Sequence, residues 1–248
     1  MKPFVAALAA ALVAAACDGA TAPRSVHSRV DDSRVPRALR AAYFDDASRM
    51  ALRDLQARGY DGIPIPPDAV RPYYDGLVAV YNATALPARD TVVDVYAIHT
   101  FGNPATRALF LWAFLSETWV QRLSQGEIPT GEPAVDSVLS RYALSFTGVH
   151  TLSQGDVLIT LESAQPLNID ALAPLLSNVN GVRYSSPNGM VGDGNDIEGT
   201  VEESRVVLAY SVGSGDCPAG CINRRYYRFA VDPTGLVEYL GASGAIDP

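Results

Sequence analysis

Cys217 and Cys221, with Pro218, Ala219 and Gly220 between them, place the tightest constraint on this chain. A disulfide holds its two Cα atoms about 4.4 to 6.8 Å apart, whereas four steps of extended chain span about twice that. A bond here therefore demands a turn, and Pro218 and Gly220 are residue types that favour one. Two other readings stand beside a staple. A zinc site needs two further Cys or His ligands at finger-like spacing, which this sequence lacks. A redox pair uses Cys-x-x-Cys, whereas three residues intervene here.

The compartment bears on that choice, and the first 17 residues speak to it. Lys2 gives a positive start, Phe4 to Ala16 is an unbroken apolar run, and Cys17 ends it. The run is shorter than the roughly 20 residues a membrane span requires and suits a secretory signal. Leu12-Val13-Ala14-Ala15-Ala16-Cys17 resembles the lipobox of bacterial lipoprotein precursors. The resemblance implies that residues 1–16 are removed and that Cys17 is lipidated as the first residue of the mature chain. Ala14-Ala15-Ala16 also meets the small-residue rule of ordinary signal peptidase. The cysteine at the boundary favours lipidation, because an unpaired exported cysteine otherwise lacks a reason. With Cys17 acylated, Cys217 and Cys221 are left to pair with each other. Gly215 to Ile222 is also similar to a stretch in uncharacterised exported bacterial proteins, a likeness of about a dozen residues that implies no activity.

The formal charge is −8, and Lys2 is the only charged residue ahead of Cys17, so its removal leaves a more acidic body. Such a body suits neither nucleic acid nor anionic lipid. The expected membrane contact is the lipid on Cys17 alone.

Residues 17–35 lack periodicity and read as a tether, with His27 solvated on it. From Pro36 the chain reads as one α+β domain, 36–248. Leu39, Tyr43, Ala47, Met50 and Leu55 mark a helix ending at Gly59, and Val70, Tyr74, Leu77 and Tyr81 mark a second, packed on the first. Thr91 to Phe101 is rich in β-branched and aromatic residues and predicts a strand covered on both faces. Ala108–Leu115 reads as a strand or buried helix, Glu117–Leu123 and Ala134–Tyr142 as helices, and Leu144–Leu152 as a strand. Asp156–Ser186 reads as strand, capped helix, strand, a unit that normally makes a parallel crossover. Four more segments, Ile197–Val201, Arg205–Ser211, Ile222–Val231 and Leu236–Leu240, predict an antiparallel meander. The expected architecture is N-terminal helices packed on a mainly antiparallel sheet, with a C-terminal meander and one local disulfide.

Few residues carry a chemical signature. Period-two alternation puts Arg224, Tyr226 and Arg228 on one strand face, where they could hold an anion, stack on a carbohydrate, or pair with Glu202, Glu203 or Glu238 on neighbouring strands. Asp193, Asn195, Asp196 and Glu198 offer oxygens, but the EF-hand pattern needs an oxygen at the fifth position and Gly at the sixth, where Ile197 and Glu198 stand. A surface turn is expected there, and no metal or cofactor. His99 and His150 lie on apolar strand patterns and could each meet a distant carboxylate such as Asp94 or Asp196. No nucleophile elbow, zinc-helix motif or phosphate loop accompanies them. The expected function is a membrane-anchored envelope lipoprotein whose ectodomain binds an envelope protein or small ligand. A hydrolase built on a histidine and a carboxylate is the alternative.

Overall fold

In the computed structural model, which describes residues 23–152 and 155–245, the three-and-four spacing forms helix α1, Arg37–Ala57. It starts on Pro36 and ends ahead of Gly59, whose φ of 81° suits glycine. The stretch read as a signal and the expected acylation position, Cys17, lie outside the described residues. Helix α2, Pro67–Asn82, packs on α1. Together they cover one face of a five-stranded antiparallel sheet ordered β1-β9-β8-β7-β6.

Four of those strands are the expected meander: β6 Asp196–Glu202, β7 Arg205–Ser214, β8 Asn223–Val231 and β9 Leu236–Gly244. Alternation sends Ile197, Leu208, Tyr210, Phe229 and Val237 inward against Met50, Tyr73 and Leu77. The Asp232–Gly235 turn closes as its residue types suggest, with Asp232 Oδ1 accepting from the Thr234 and Leu236 amides.

The fifth strand, β1, is Ser25–His27, inside the stretch read as a tether. It pairs with Leu236–Glu238 of β9, and Ser28 N donates to Gly235 O at 2.8 Å. Asp32–Arg34 then makes a 3-10 turn that buries Val35. The folded body therefore begins well before Pro36. Edge pairing needs only main-chain groups, so it leaves no side-chain periodicity to read.

A second sheet has the order β3-β4-β2-β5, formed by β2 Ala108–Phe114, β3 Leu144–Thr151, β4 Asp156–Ser163 and β5 Val182–Pro187. β4 and β5 are each antiparallel to β2, which lies between them, and so run parallel to each other. The crossover expected for 156–186 exists with β2 inserted in it. Its helix is two short turns, α6 Ile169–Leu172 and α7 Pro174–Ser177, divided at Pro174 and capped by Asn168. These turns, with α4 Thr118–Ser124 and α5 Pro133–Arg141, bury Leu109, Leu111, Ile159 and Leu161 in a separate core.

The strand expected over Thr91–Phe101 is absent. Pro87 opens helix α3, Pro87–Asp90, which continues as a π-helical turn over Thr91–Val95. Tyr96 N and Ile98 N donate back to Thr91 and Val92 carbonyls. The reason is local: buried Arg89 ion-pairs with Asp90 and Asp94 and lies 5.0 Å from the Tyr81 ring. Those contacts hold the chain coiled and leave Val95 in solvent, overriding a β preference that measures packing more than backbone.

At Gly199 a Cβ would come within 2.6 Å of the buried Tyr73 ring and 2.8 Å of Met50 Sδ, whereas at Gly148 nothing lies within 4 Å. Gly199→Ala should therefore destabilise by about 1–3 kcal/mol and Gly148→Ala by much less. Chemical denaturation of both variants tests this, and equal midpoints would contradict the packing described.

Candidate functional site

Four constellations anticipated from the sequence can be located. In the first, Cys217 and Cys221 are bonded to each other, with Cα atoms 3.9 Å apart. The loop they close is stitched to the Gly192–Asp196 segment: Asp193 N donates to Cys217 O at 2.8 Å and Cys221 N donates to Asp193 Oδ2 at 3.2 Å. Arg224 ion-pairs with Asp193 and also donates to Ser211 Oγ at 2.6 Å. The Arg224 guanidinium holds the Asp193 carboxyl below its ordinary range.

Arg224, Tyr226 and Arg228 do share the outer face of β8, with partners other than those expected. Arg224 is committed to Asp193. The Arg228 guanidinium lies 5.0 Å from the Tyr226 ring centroid and donates to Ser243 Oγ at 2.6 Å. Glu202 holds Arg205 instead, at 2.7 Å. The open part of this face is thus Tyr226 with Arg228.

Three of the four residues considered for calcium, Asp193, Asn195 and Asp196, are engaged by the chain itself. Asn195 Oδ1 accepts from Gly213 N, and Asp196 accepts from Arg53 and from the Phe101 and Ile197 amides. Among the described residues no group of three or more His, Cys, Asp or Glu side chains is arranged to hold a metal.

The histidines part company. His150 is exposed on β3, opposite Leu158. His99 Nδ1 lies 2.6 Å from Asp46 Oδ2, a carboxylate of α1 that is only 3% exposed. Neither expected partner serves: Asp94 belongs to Arg89 and Asp196 to Arg53. Asp46 Oδ1 accepts from Thr100 N at 2.9 Å and Thr100 Oγ1 at 2.7 Å, so the carboxylate fixes both the His99 ring and the backbone after it. Asp46 stands three residues after Tyr43 and four before Met50, beside the apolar stripe of α1, and that placement was the available signal for this pairing. The geometry orients the imidazole through Nδ1 and leaves Nε2 uncommitted to Asp46. Among the described residues no hydroxyl or thiol hydrogen-bonds to that ring.

The hydrogen bond to Asp46 raises the His99 pKa above its ordinary 6.5, against the opposing effect of burial. The protonated imidazole is therefore favoured by the fold. Its contribution to stability is complete below the unfolded value of 6.5 and is lost as pH rises through the higher folded value. The stability difference between the wild type and His99→Gln should shrink as pH rises from about 5 to about 9. Urea titrations at stepped pH measure it, and a difference independent of pH would remove this pairing.

No protein-family model matches the chain, and no curated protein or solved structure matches it either.

Proposed function

We propose that this chain is a lipid-anchored, extracytoplasmic protein of the bacterial cell envelope, in which Cys17 carries the anchor and the folded body binds a ligand or envelope partner. The observation that carries the reading is the cysteine arithmetic. Of three cysteines, Cys217 and Cys221 are bonded to each other, which leaves Cys17, at the end of the apolar leader, as the remaining thiol. A structural disulfide belongs to an oxidising compartment. A cysteine that carries more than one acyl chain gives stable attachment where a single chain does not. Among the described residues no helix is long and apolar enough to cross a membrane; attachment in this reading rests on the lipid at Cys17.

Cys17→Ala should move the protein from the membrane to the soluble extracytoplasmic fraction. Mass spectrometry of the wild-type N-terminus should show an acylated cysteine at position 17. An unmodified terminus, or unchanged membrane retention in Cys17→Ala, would overturn the proposal.

His99 and Asp46 favour a second reading, a hydrolase with His99 as general acid–base and Asp46 as its positioning group. The carboxylate would orient the ring without accepting its proton, as the aspartate of a Ser-His-Asp triad does. This reading predicts hydrolysis of a generic ester or amide substrate that disappears in His99→Gln and shows a pH profile displaced in Asp46→Asn. Equal rates in wild type and His99→Gln would dispose of it.

A further inference from the structure

Ala108–Phe114 looks uniformly apolar, but as strand β2 it divides. Leu109, Leu111 and Ala113 enter the second core, while Phe110, Trp112 and Phe114 turn to the opposite face. On that face the register sets Tyr184 beside Trp112, Leu158 on its other side, and His150 beyond, one row across all four strands. A bulge in the β2–β5 pairing brings Arg183 to the same side as Tyr184. The Arg183 guanidinium lies 4.4 Å from the Phe114 centroid, and its Nε is 2.9 Å from Asp156 Oδ2, which also accepts from Trp112 Nε1 at 2.9 Å. The rings are thus held in place yet uncovered: Trp112 is 37%, Phe114 36% and Tyr184 57% exposed.

Phe114 also walls an open recess of about 560 Å3 lined by Ser116, Gln121, Ser124 and Gln125. Two buried oxygens at this end of the sheet, Asp156 Oδ1 and Ser124 Oγ, have no hydrogen-bond partner among the described residues, and Asp156 is 96% buried. Both oxygens are sealed from solvent, so the polar groups a ligand would meet are those of the exposed rim of the recess, Ser116, Gln121 and Gln125.

The chemistry narrows the occupant. A flat face encloses no compact small molecule, so the ligand is extended. Asp156 and Arg183 neutralise each other and the recess holds only hydroxyl and amide groups, so the ligand is uncharged and rich in hydroxyls. A sugar ring meets both demands, with a C–H face to lie on the aromatic rings and a hydroxyl rim for the recess. The strand-to-strand step of about 4.8 Å is close to the length of one such ring. We propose that this outer face, centred on Trp112, Phe114 and Tyr184, binds a neutral pyranose chain. The inference rests on the envelope reading above for its biological setting and on none of it for its measurement.

Purified full-length protein is titrated with cellohexaose, maltohexaose and chitohexaose by calorimetry and by tryptophan emission. At least one should bind, with half-saturation at millimolar concentration or below and a change in Trp112 emission that persists in Trp119→Phe. Tyr184→Ala truncates an exposed side chain and should weaken binding about tenfold. Trp112→Ala and Gln121→Ala should weaken it too, with circular dichroism reporting that each variant is folded. Binding by none of the three sugars, or undiminished binding in Tyr184→Ala, overturns the proposal. So does a concentration-dependent dimer abolished by Tyr184→Ala, which would make the face a contact between copies of this chain. Fractionation of Cys17→Ala is read independently, so failure of the anchor and failure of the sugar site are distinguishable.

Discussion

The polar side of helix α1 holds the two halves of this protein together. Asp45 receives Arg107, and Asp46 receives His99 and Thr100. Arg49 donates to Thr100 and the Pro104 carbonyl, and Arg53 to the Phe101 and Asn103 carbonyls and to Asp196. Gln56 reaches Asn168 and Asp170. An irregular segment inside a protein must satisfy every main-chain donor and acceptor. Between Thr100 and Pro104 the side chains of one helix do much of that work, where a sheet would have used another strand. Losing one of them leaves its buried partner unpaired, at a cost of about 1–3 kcal/mol.

That arrangement also explains what could be read in advance. The meander was legible because inward residues such as Leu208, Tyr210 and Phe229 are framed by turn residues at Asp232–Gly235. Helices α1 and α2 were legible because their apolar positions recur at helical spacing. The Thr91–Phe101 strand failed because β propensity says nothing about a buried Arg89 seated between two carboxylates. The strand β1 was missed because Ser25–His27 pairs through its backbone.

The candidate sites were legible in the same uneven way. The cysteine pairing follows from counting, and its bond is present. His99 does meet a carboxylate, but not one of those expected, since a charged residue on a helix ordinarily reads as solvated and Asp46 is not. Arg224 was expected to face a ligand or a strand neighbour and instead locks Asp193 against the disulfide loop. The aromatic face of the second sheet stayed hidden inside an unbroken apolar run, where strand and buried helix look alike until register is known.

The short strand β1 sets a length scale. From the anchor proposed at Cys17 to Ser25, where the chain joins β9, there are eight residue steps, a fully extended reach of roughly 28 Å. That is about the thickness of one bilayer hydrocarbon core. Held by such an anchor, a body on so short a leash would sample a thin layer above the membrane, its targets would be those that enter that layer, and its encounters with them would be governed by density per unit area.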